Sequence, residues 1–185
     1  MAKSFNVSDF RGNFVGDGAR PTLFGVNITS PVGALDGNAL QFLCSASHLP
    51  ASSVSAKTIS YYGHDVHLAG NRTFDDWSIT VYNDENFKIR NSFEIWLDAI
   101  DRHSGAGRGQ GLGVGPSEYV VDASVQQFGK NGDILKEYVF YNLWPSSIGQ
   151  ITVDWNSKDD IETFEVTMKF DWFHAVDASA NIITS

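Results

Sequence analysis

The sequence predicts a mainly β domain, an antiparallel β-sandwich or barrel-like subunit with one flanking α-helix. Two observations favour this fold class. Short segments rich in β-forming residues recur along the chain, separated by turns that contain Gly, Pro or Asn. Only one stretch repeats its apolar residues at helical spacing. At 185 residues the chain is long enough to bury a sizeable core, and we expect a single domain over residues 1–185.

The composition excludes several classes of protein. Hydrophobic residues at 42% and aromatic residues at 13% are too abundant for a disordered chain. The formal charge of −9 and the scattered Lys and Arg argue against a nucleic-acid-binding surface, which needs clustered cations. A single cysteine cannot form an internal disulfide, and no window approaches the roughly 18 apolar residues of a membrane span. We expect a soluble protein of a reducing compartment, without membrane contact.

The first 19 residues are mixed polar and aromatic, and they predict an N-terminal arm. Its phenylalanines, Phe5, Phe10 and Phe14, need a surface to cover. Two alternatives stay open, a frayed terminus and an arm that docks on a neighbouring subunit.

Three strands are predicted in the next segment, at Pro21–Thr29, Leu40–Ser47 and Val54–Tyr62. Gly63-His64 then reverses the chain into Asp65–Leu68. Alternation in the second strand places Cys44 on an apolar face. A small buried hydrophobe explains that cysteine more simply than a catalytic thiol, which would need exposure and a nearby base.

The segment Leu68–Ile100 joins a Gly-Asn turn, a strand and an amphipathic helix. Trp77–Tyr82 alternates, with its odd-numbered residues predicted to point inward. A helix follows over about Phe87–Arg102. Its apolar face is formed by residues at helical spacing: Ile89, Phe93, Trp96, Leu97 and Ile100.

Glycine occurs at almost every second position of residues 104–117, which predicts a mobile loop. The loop follows a helix and lacks the terminal Gly-Lys-Ser/Thr, so a phosphate-binding loop is excluded. Beyond it, Asn131-Gly132 marks a hairpin turn between two strands. The remaining expectations are strands at Tyr119–Phe128, Ile134–Trp144, Gln150–Trp155 and Thr163–Phe173, a break at Pro145–Gly149, and a loose C-terminal tail over residues 175–185.

No catalytic or metal-binding constellation emerges from the sequence. His64 and His67 are three apart on a strand, so they point to opposite faces. The acidic doublets lie beside turns, where Asp commonly caps backbone amides. No Ser occupies a G-x-S-x-G elbow. We therefore expect no enzyme activity, no cofactor and no metal.

A series of short motifs follows one order along most of the chain. In chain order they are Ala19-Arg20-Pro21-Thr22-Leu23-Phe24, Leu49-Pro50, Tyr62-Gly63, Ala69-Gly70, Arg72-Thr73-Phe74, Asp76-Trp77, Asn83-Asp84-Glu85, Arg90-Asn91, Phe93-Glu94, Trp96 and Asp154-Trp155-Asn156-Ser157. In this order the sequence resembles the tail-tube family of contractile-tailed, T-even-like bacteriophages, over roughly residues 18–173. The glycine-dense loop is not expected from that family.

The resemblance implies a structural virion protein. Six subunits would close into a ring, and rings would stack into the inner tail tube, a conduit for DNA ejection into the host. Each subunit would lend strands to a continuous multi-subunit β-barrel around the lumen. The implied partners are other copies of the chain, the tail sheath, and the baseplate and tail-terminator proteins. The tape-measure protein and DNA would pass through the lumen without specific binding. The implied location is the virion, after assembly in the host cytoplasm.

The resemblance also implies roles for particular residues. Two hairpins are expected at the lumen, Leu40–Ser47 with Val54–Tyr62, and Tyr119–Phe128 with Ile134–Tyr141. The expected lumen-lining residues are Gln41, Ser45, Ser47, Ser55, Lys57, Ser60, Asp122, Ser124, Gln126 and Glu137. Expected to fix turns and subunit contacts are Arg72, Asp76, Asn83, Asp84 and Arg90. On the exposed side of the helix, Glu94, Asp98 and Arg102 are the expected sheath-facing residues.

Two alternative functions stay open at this point. The same tube could belong to a genome-free contractile injection particle or bacteriocin, because the subunits of both kinds of tube would form rings that stack in the same way. From another class, the chain could be a monomeric β-sandwich carbohydrate-binding module. Exposed aromatic rings at Tyr61, Tyr62, Tyr82 and Trp144 would then stack on sugars.

Overall fold

The structure is a computed structural model that describes residues 6–14, 18–31, 35, 37–101, 116–157, 159–177 and 182. The helices in these ranges are α1 (Val7–Gly12), α2 (Gly37–Leu43) and α3 (Lys88–Ile100), with a short 3₁₀ turn at Pro116–Glu118. The strands are β1 (Phe24–Ile28), β2 (Cys44–Ser47), β3 (Ser52–Tyr61), β4 (His64–Phe74), β5 (Trp77–Tyr82), β6 (Val121–Phe128), β7 (Ile134–Ile148), β8 (Thr163–Lys169) and β9 (Trp172–Asp177). The predicted fold class, mainly β and antiparallel with a flanking helix, is confirmed.

Within the described ranges, seven strands form one antiparallel sheet in the order β1-β6-β7-β8-β5-β2, with β9 also paired to β7. The long strand β7 joins its two halves. Residues 136–141 pair with β9, and residues from Trp144 onward pair with β8. Asn142, with a φ of 56°, lies between the two pairing regions. Trp77 of β5 stacks on Phe140 of β7 with ring centroids 4.3 Å apart, so the inner faces of both halves meet in one core.

Helix α3 covers part of this core. Its apolar stripe buries Ile89, Phe93 and Trp96, as the helical spacing predicts. The indole Nε1 of Trp96 donates a hydrogen bond to the Tyr119 carbonyl oxygen at 2.9 Å, which satisfies the one polar atom of that buried ring. The predicted helix and the inward side of β5 are therefore both confirmed, since Trp77, Ile79 and Val81 are at most 1% exposed.

Strands β3 and β4 form a separate two-stranded sheet, which we call the ribbon (Ser52–Phe74). Tyr62 and Gly63 connect them with φ angles of 50° and 79°, the left-handed pair that a tight two-residue hairpin turn requires. Every residue of β3 is exposed. In β4 only Phe74, at the base, is partly covered.

The predicted strand Leu40–Ser47 is wrong in its first half. Residues 37–43 are helical, and the helix buries Leu40 while it leaves Phe42 84% exposed. An apolar run this short fits both the helical and the strand periodicity. In the structure it is helical, which places Leu40 and Leu43 on the same side, against the core. Cys44, at the start of β2, is buried as expected.

Four expectations in the C-terminal third are also wrong, at least in part. β7 does not break at Pro145 but passes through it with a register shift, and a proline is tolerated at such an irregularity. Gln150–Trp155 forms no strand. The predicted strand Thr163–Phe173 is two strands, β8 and β9, separated at Phe170-Asp171. Residues 175–177 of the predicted loose tail belong instead to β9, where Ala175 is buried.

Some expectations fall on residues outside the described ranges, namely Phe5, Arg102, most of the glycine-rich loop 104–117 and most of the tail beyond residue 177. The described part of the arm contains α1, which Asn6 caps by accepting the Ser8 amide at 3.2 Å. Across the ranges that are described, no helix combines the length and apolar character needed to cross a membrane.

Candidate assembly surfaces

The ribbon has two chemically different faces. Its register places Ile59 opposite Val66 and Lys57 opposite Leu68, so these side chains share one side. We define the ribbon's apolar face as Ile59, Tyr61, Val66 and Leu68, which are 45–68% exposed. A two-stranded hairpin is marginally stable alone in water, and an apolar face on it needs a cover. The described part of this chain supplies none, because every one of these side chains is exposed.

The opposite face of the ribbon is polar and fixes its register. The Ser60 hydroxyl donates to Asp65, and Thr58 Oγ1 lies 3.1 Å from His67 Nδ1. His64 and His67 therefore point to opposite faces, as predicted. These cross-strand bonds hold the two strands in one pairing, which keeps the apolar residues together on the other side.

Gly70 and Asn71 form an irregularity within β4 rather than the predicted turn. A Cβ atom on Gly70 would lie 2.3 Å from Ser55 Oγ and 2.9 Å from the Ser55 carbonyl oxygen. Only glycine permits this close approach of the two strands.

The expected lumen residues on the second hairpin are brought together. Asp122, Ser124 and Gln126 alternate along β6, and Glu137 lies opposite Gln126 on β7. The Gln126 side-chain amide donates to the Glu137 carboxylate at 2.8 Å. Asp122, Ser124 and Glu137, with Asn27 of β1, line an open groove on the side of the sheet away from the core. The result is a polar face, which we call the β6–β7 polar face.

The other expected lumen residues do not join this face. Gln41 lies on α2 and not on a strand. The predicted pairing of Leu40–Ser47 with Val54–Tyr62 is wrong, because β2 pairs with β5 and β3 pairs with β4. Ser45 donates instead to the Thr80 carbonyl oxygen at 3.2 Å, and Ser47 lies on the same strand β2.

The three ribbon residues in the expected lumen set do not form a single wall either. Lys57 is on the ribbon's apolar side, and Ser60 is on its polar side. An odd separation along a strand places two side chains on opposite faces. Ser55 lies at the irregularity, where its hydroxyl donates to the Asn71 carbonyl oxygen at 3.3 Å.

Three of the expected turn-fixing residues make contacts across turns. Asp76 forms an ion pair with Lys169 at 3.0 Å, which ties the start of β5 to the end of β8. Asn83 bonds Glu162 twice, through its backbone amide at 2.8 Å and its side-chain amide at 2.9 Å. Asp84 accepts the Lys88 amide at 3.0 Å at the start of α3.

Arg90 is the most connected of these residues. Its guanidinium donates to Glu94 at 2.8 Å and to the Gly149 carbonyl oxygen at 3.2 Å, and it lies over the Phe164 ring. Arg72 differs, since it lies exposed on the ribbon. Of the expected sheath-facing residues, Glu94 and Asp98 lie on the exposed side of α3, and Arg102 lies outside the described ranges.

The chemistry of Cys44 fits a core residue. Its thiol donates to the Ala46 carbonyl oxygen at 3.3 Å. Burial raises the pKa of the thiol to about 11, because the thiolate would lose its hydration. A thiol in this state is a poor nucleophile. In the ranges that the structure describes, no three His, Cys, Asp or Glu residues are grouped as metal ligands.

The segment between β7 and β8 is exposed, which the sequence pattern does not predict. Trp155 is 99% exposed and Val153 is 80% exposed. The available signal was Asp154-Trp155-Asn156, since an Asp two residues before an Asn is typical of a side-chain-stabilised turn. That signal competes with the apolar pattern that predicts a strand here.

Comparison with known sequences identifies close relatives. The family model described as "Phage tail tube protein" matches residues 19–176. The tail tube protein gp19 of Enterobacteria phage T4 is 37% identical over 160 residues, which covers 85% of this chain and 92% of that protein. The tail tube protein of Serratia phage KSP90 is 23% identical over 175 residues, covering 92% of this chain and 96% of that protein.

Comparison with solved structures shows the fold. A chain in the cryo-EM structure of the anti-feeding prophage baseplate aligns with a TM-score of 0.63 and 7% identity, covering 87% of this chain and 97% of that one. A chain in the structure of the anti-feeding prophage tube-terminating cap aligns with a TM-score of 0.60 and 14% identity, covering 86% and 91%.

Proposed function

Because the chain belongs to the phage tail tube protein family, it is a structural subunit of a contractile tail tube, and we propose that six copies close into rings that stack around a DNA conduit. The family is established by the match over residues 19–176 and by 37% identity to the T4 protein. The number of subunits per ring, the order of stacking and the passage of DNA are parts of the proposal.

The ribbon's apolar face is the observation that carries the proposal. Its four large side chains are 45–68% exposed on strands that pair with each other and not with the main sheet. Covering them with another copy removes apolar surface from water and supports a hairpin that is otherwise marginal. A neighbouring subunit therefore supplies the contacts that the ribbon lacks in the isolated chain.

The β6–β7 polar face is the proposed wall of the conduit. Asp122, Ser124, Gln126 and Glu137 carry carboxylate, hydroxyl and amide groups, and none is a cation. Each phosphate contact by Lys or Arg would add salt-dependent, non-specific affinity for DNA and so oppose its passage. An uncharged to acidic wall lets a polyanion pass without specific binding. A reconstruction that showed a net positive lumen would contradict this part of the proposal.

The outer partners follow from the same arrangement. The exposed side of α3, with Glu94 and Asp98, is the proposed sheath contact, and Arg102 is its continuation in the sequence. Baseplate and terminator proteins would bind the two ends of the stack. The tape-measure protein would occupy the lumen before DNA does. Assembly would take place in the host cytoplasm, and the finished tube would be part of the virion.

A genome-free injection particle is the second candidate function. The likeness to anti-feeding prophage chains, at 7% and 14% identity, supports the shared fold but not the same cargo. The sequence relatives at 37% identity are phage proteins, which favours the phage tail. Nucleic-acid content of the purified particles separates the two functions. The carbohydrate-binding module is not favoured, because the family relationship covers most of the chain.

Size-exclusion chromatography with negative-stain imaging tests the proposal. We expect the purified subunit to form six-fold rings or tubes, either alone or after addition of the baseplate that initiates polymerisation. A subunit that stays monomeric in both conditions would contradict it.

A further inference from the structure

Two surfaces with complementary chemistry lie at opposite ends of β7. One is the Trp155 loop, residues 150–157 and 159–162, which follows the C-terminal end of the strand. The other, which we call the arm pocket, lies beside the turn that precedes the strand. It is a cavity of about 550 Å³ lined by residues 14, 18–20 and 23 on one side and by the β6–β7 turn on the other.

The Trp155 loop carries three exposed apolar side chains, Trp155, Val153 and Ile161, which we call the knob. Trp155, Val153 and Ile161 are 99%, 80% and 67% exposed, which are high values for three large side chains in one short segment. Asp154 holds the knob in place. Its carboxylate accepts the Asn156 backbone amide at 3.0 Å and the Asn156 side chain at 3.1 Å. The indole is thus displayed on a turn that its own neighbours stabilise.

The arm pocket has an apolar lining, and hydrogen bonds hold one side of it to the sheet. Phe14, Leu23, Phe128 and Leu135 contribute the apolar lining. Gln127 on β6 donates to the Arg20 carbonyl oxygen at 2.6 Å and to the Leu23 carbonyl oxygen at 2.8 Å. These bonds hold residues 20–23, one side of the pocket, against the sheet. Its volume lies in the range of pockets that enclose a small aromatic group.

The charges of the two surfaces are opposite. Residues 153–162 carry four acidic side chains and one lysine in the sequence. The arm pocket is lined by Arg20 and Lys130 with one acid, Asp133, and Arg11 lines the adjoining cavity. Complementary potentials favour the encounter of the two surfaces and fix their register.

We propose that the Trp155 loop of one subunit inserts into the arm pocket of the next copy of this chain along the stack. The contact is heterologous, because the knob and the pocket lie at opposite ends of a 15-residue strand. A contact of this kind satisfies one end of each subunit and leaves the other end free, so it repeats without closing. This inference rests on the proposed tube assembly and names the contact that joins successive rings.

Cross-linking tests the contact directly. One preparation carries Ser157→Cys beside the knob, and the other carries Asn131→Cys at the rim of the pocket. The native Cys44 is buried with a pKa of about 11, so it does not compete. After co-assembly and mild oxidation, we expect a disulfide-linked dimer only in the mixture. Glu85→Cys replaces Asn131→Cys as the control. It lies near Asn83, which bonds Glu162 at the loop end of the subunit, so it should give no cross-link.

Trp155→Ala supplies the second measurement. The side chain is 99% exposed in the subunit, so the thermal midpoint of the free subunit should not change. Truncation of a buried aromatic anchor at an interface should raise the subunit concentration needed for stacking by about tenfold or more. Phe42→Ala, on a side chain 84% exposed on α2, is the matched control and should leave stacking close to wild type.

The outcomes separate this inference from the proposed function. Tubes co-assembled from the Ser157→Cys and Asn131→Cys subunits that form no disulfide between them, or Trp155→Ala subunits that stack like wild type, would overturn the contact and leave the tube intact. A wild-type subunit that forms neither rings nor tubes would overturn both. Loss of sheath binding alone in Trp155→Ala would also overturn the contact, because the knob would then belong to another partner.

Discussion

Strands β5 and β3 both alternate large and small side chains, yet one face of β5 is buried and both faces of β3 are exposed. In β5, Trp77, Ile79 and Val81 are at most 1% exposed and belong to the core cluster, where Trp77 stacks on Phe140 of β7. In β3, none of the ten residues is buried. Alternation shows that one face of a strand must be covered, but not what covers it. The chain covers β5 itself, and the proposed assembly has another copy cover β3.

The largest effect on subunit stability is expected from a core residue. Trp96→Ala removes a fully buried indole and its hydrogen bond to Tyr119, and it should lower the free energy of unfolding by about 3–5 kcal/mol. Ile95→Ala, on the neighbouring and 49% exposed position, is the control and should cost far less. Denaturant unfolding of the free subunit measures both. Equal losses would show that α3 does not pack as described.

Alkaline pH gives the next effect. The folded pKa of Cys44 is raised from 9.0 to about 11, so the unfolded chain loses its thiol proton first. The stability from this group is fully present below pH 9 and is lost as the pH rises to about 11, at up to about 1.4 kcal/mol per pH unit. The difference in unfolding free energy between wild type and Cys44→Ala should therefore shrink over that window. A constant difference would contradict a buried thiol.

A smaller effect separates Arg72 and Arg90, two arginines to which the family resemblance gives the same role. Arg90→Ala breaks bonds to Glu94 and the Gly149 carbonyl oxygen and should cost about 1–2 kcal/mol. Arg72→Ala, on the exposed ribbon, should change stability by less than about 0.5 kcal/mol. Thermal unfolding of the two variants compares them directly. A larger loss from Arg72 would mean that the ribbon is part of the subunit's own cooperative fold.

A substitution on the ribbon's apolar face should have the smallest effect on subunit stability and a large effect on assembly. Ile59→Asn places a polar group on the ribbon's apolar face and should leave the free subunit within about 0.5 kcal/mol of wild type. Assembly into rings or tubes should fail, because the partner would bury an unsatisfied amide. Thr58→Asn, on the polar face of the same strand, is the control. Comparable assembly by both variants would show that the apolar face is not the interface.

Local patterns were sufficient for the parts of the fold that the chain completes alone. The spacing of Ile89, Phe93 and Trp96 predicted α3, and Asn131-Gly132 predicted the β6–β7 hairpin, since each depends on neighbours close in sequence. Pairing between distant strands was not predictable in this way. The expected partner of β2 was its neighbour in sequence, β3, whereas the structure pairs it with β5.

The candidate surfaces were predicted only in part for a related reason. The polar alternation of Asp122, Ser124 and Gln126 identified one face of β6, and the register added Glu137. Helical and strand periods both fit the short run at Leu40, so Gln41 was placed on a strand by mistake. The exposure of Trp155 could not be read from its identity, because Trp is ordinarily buried and only the tertiary structure leaves it outside.

Amide hydrogen exchange of the free subunit and of the assembled tube tests the central claim most directly. The account predicts that the amides of β5 are protected in both states, because the core of one chain covers them. The amides of β3 and β4 should exchange quickly in the free subunit, where the ribbon is a marginal hairpin, and slowly in the tube. Equal protection of the ribbon in both states would contradict the claim that another copy completes it.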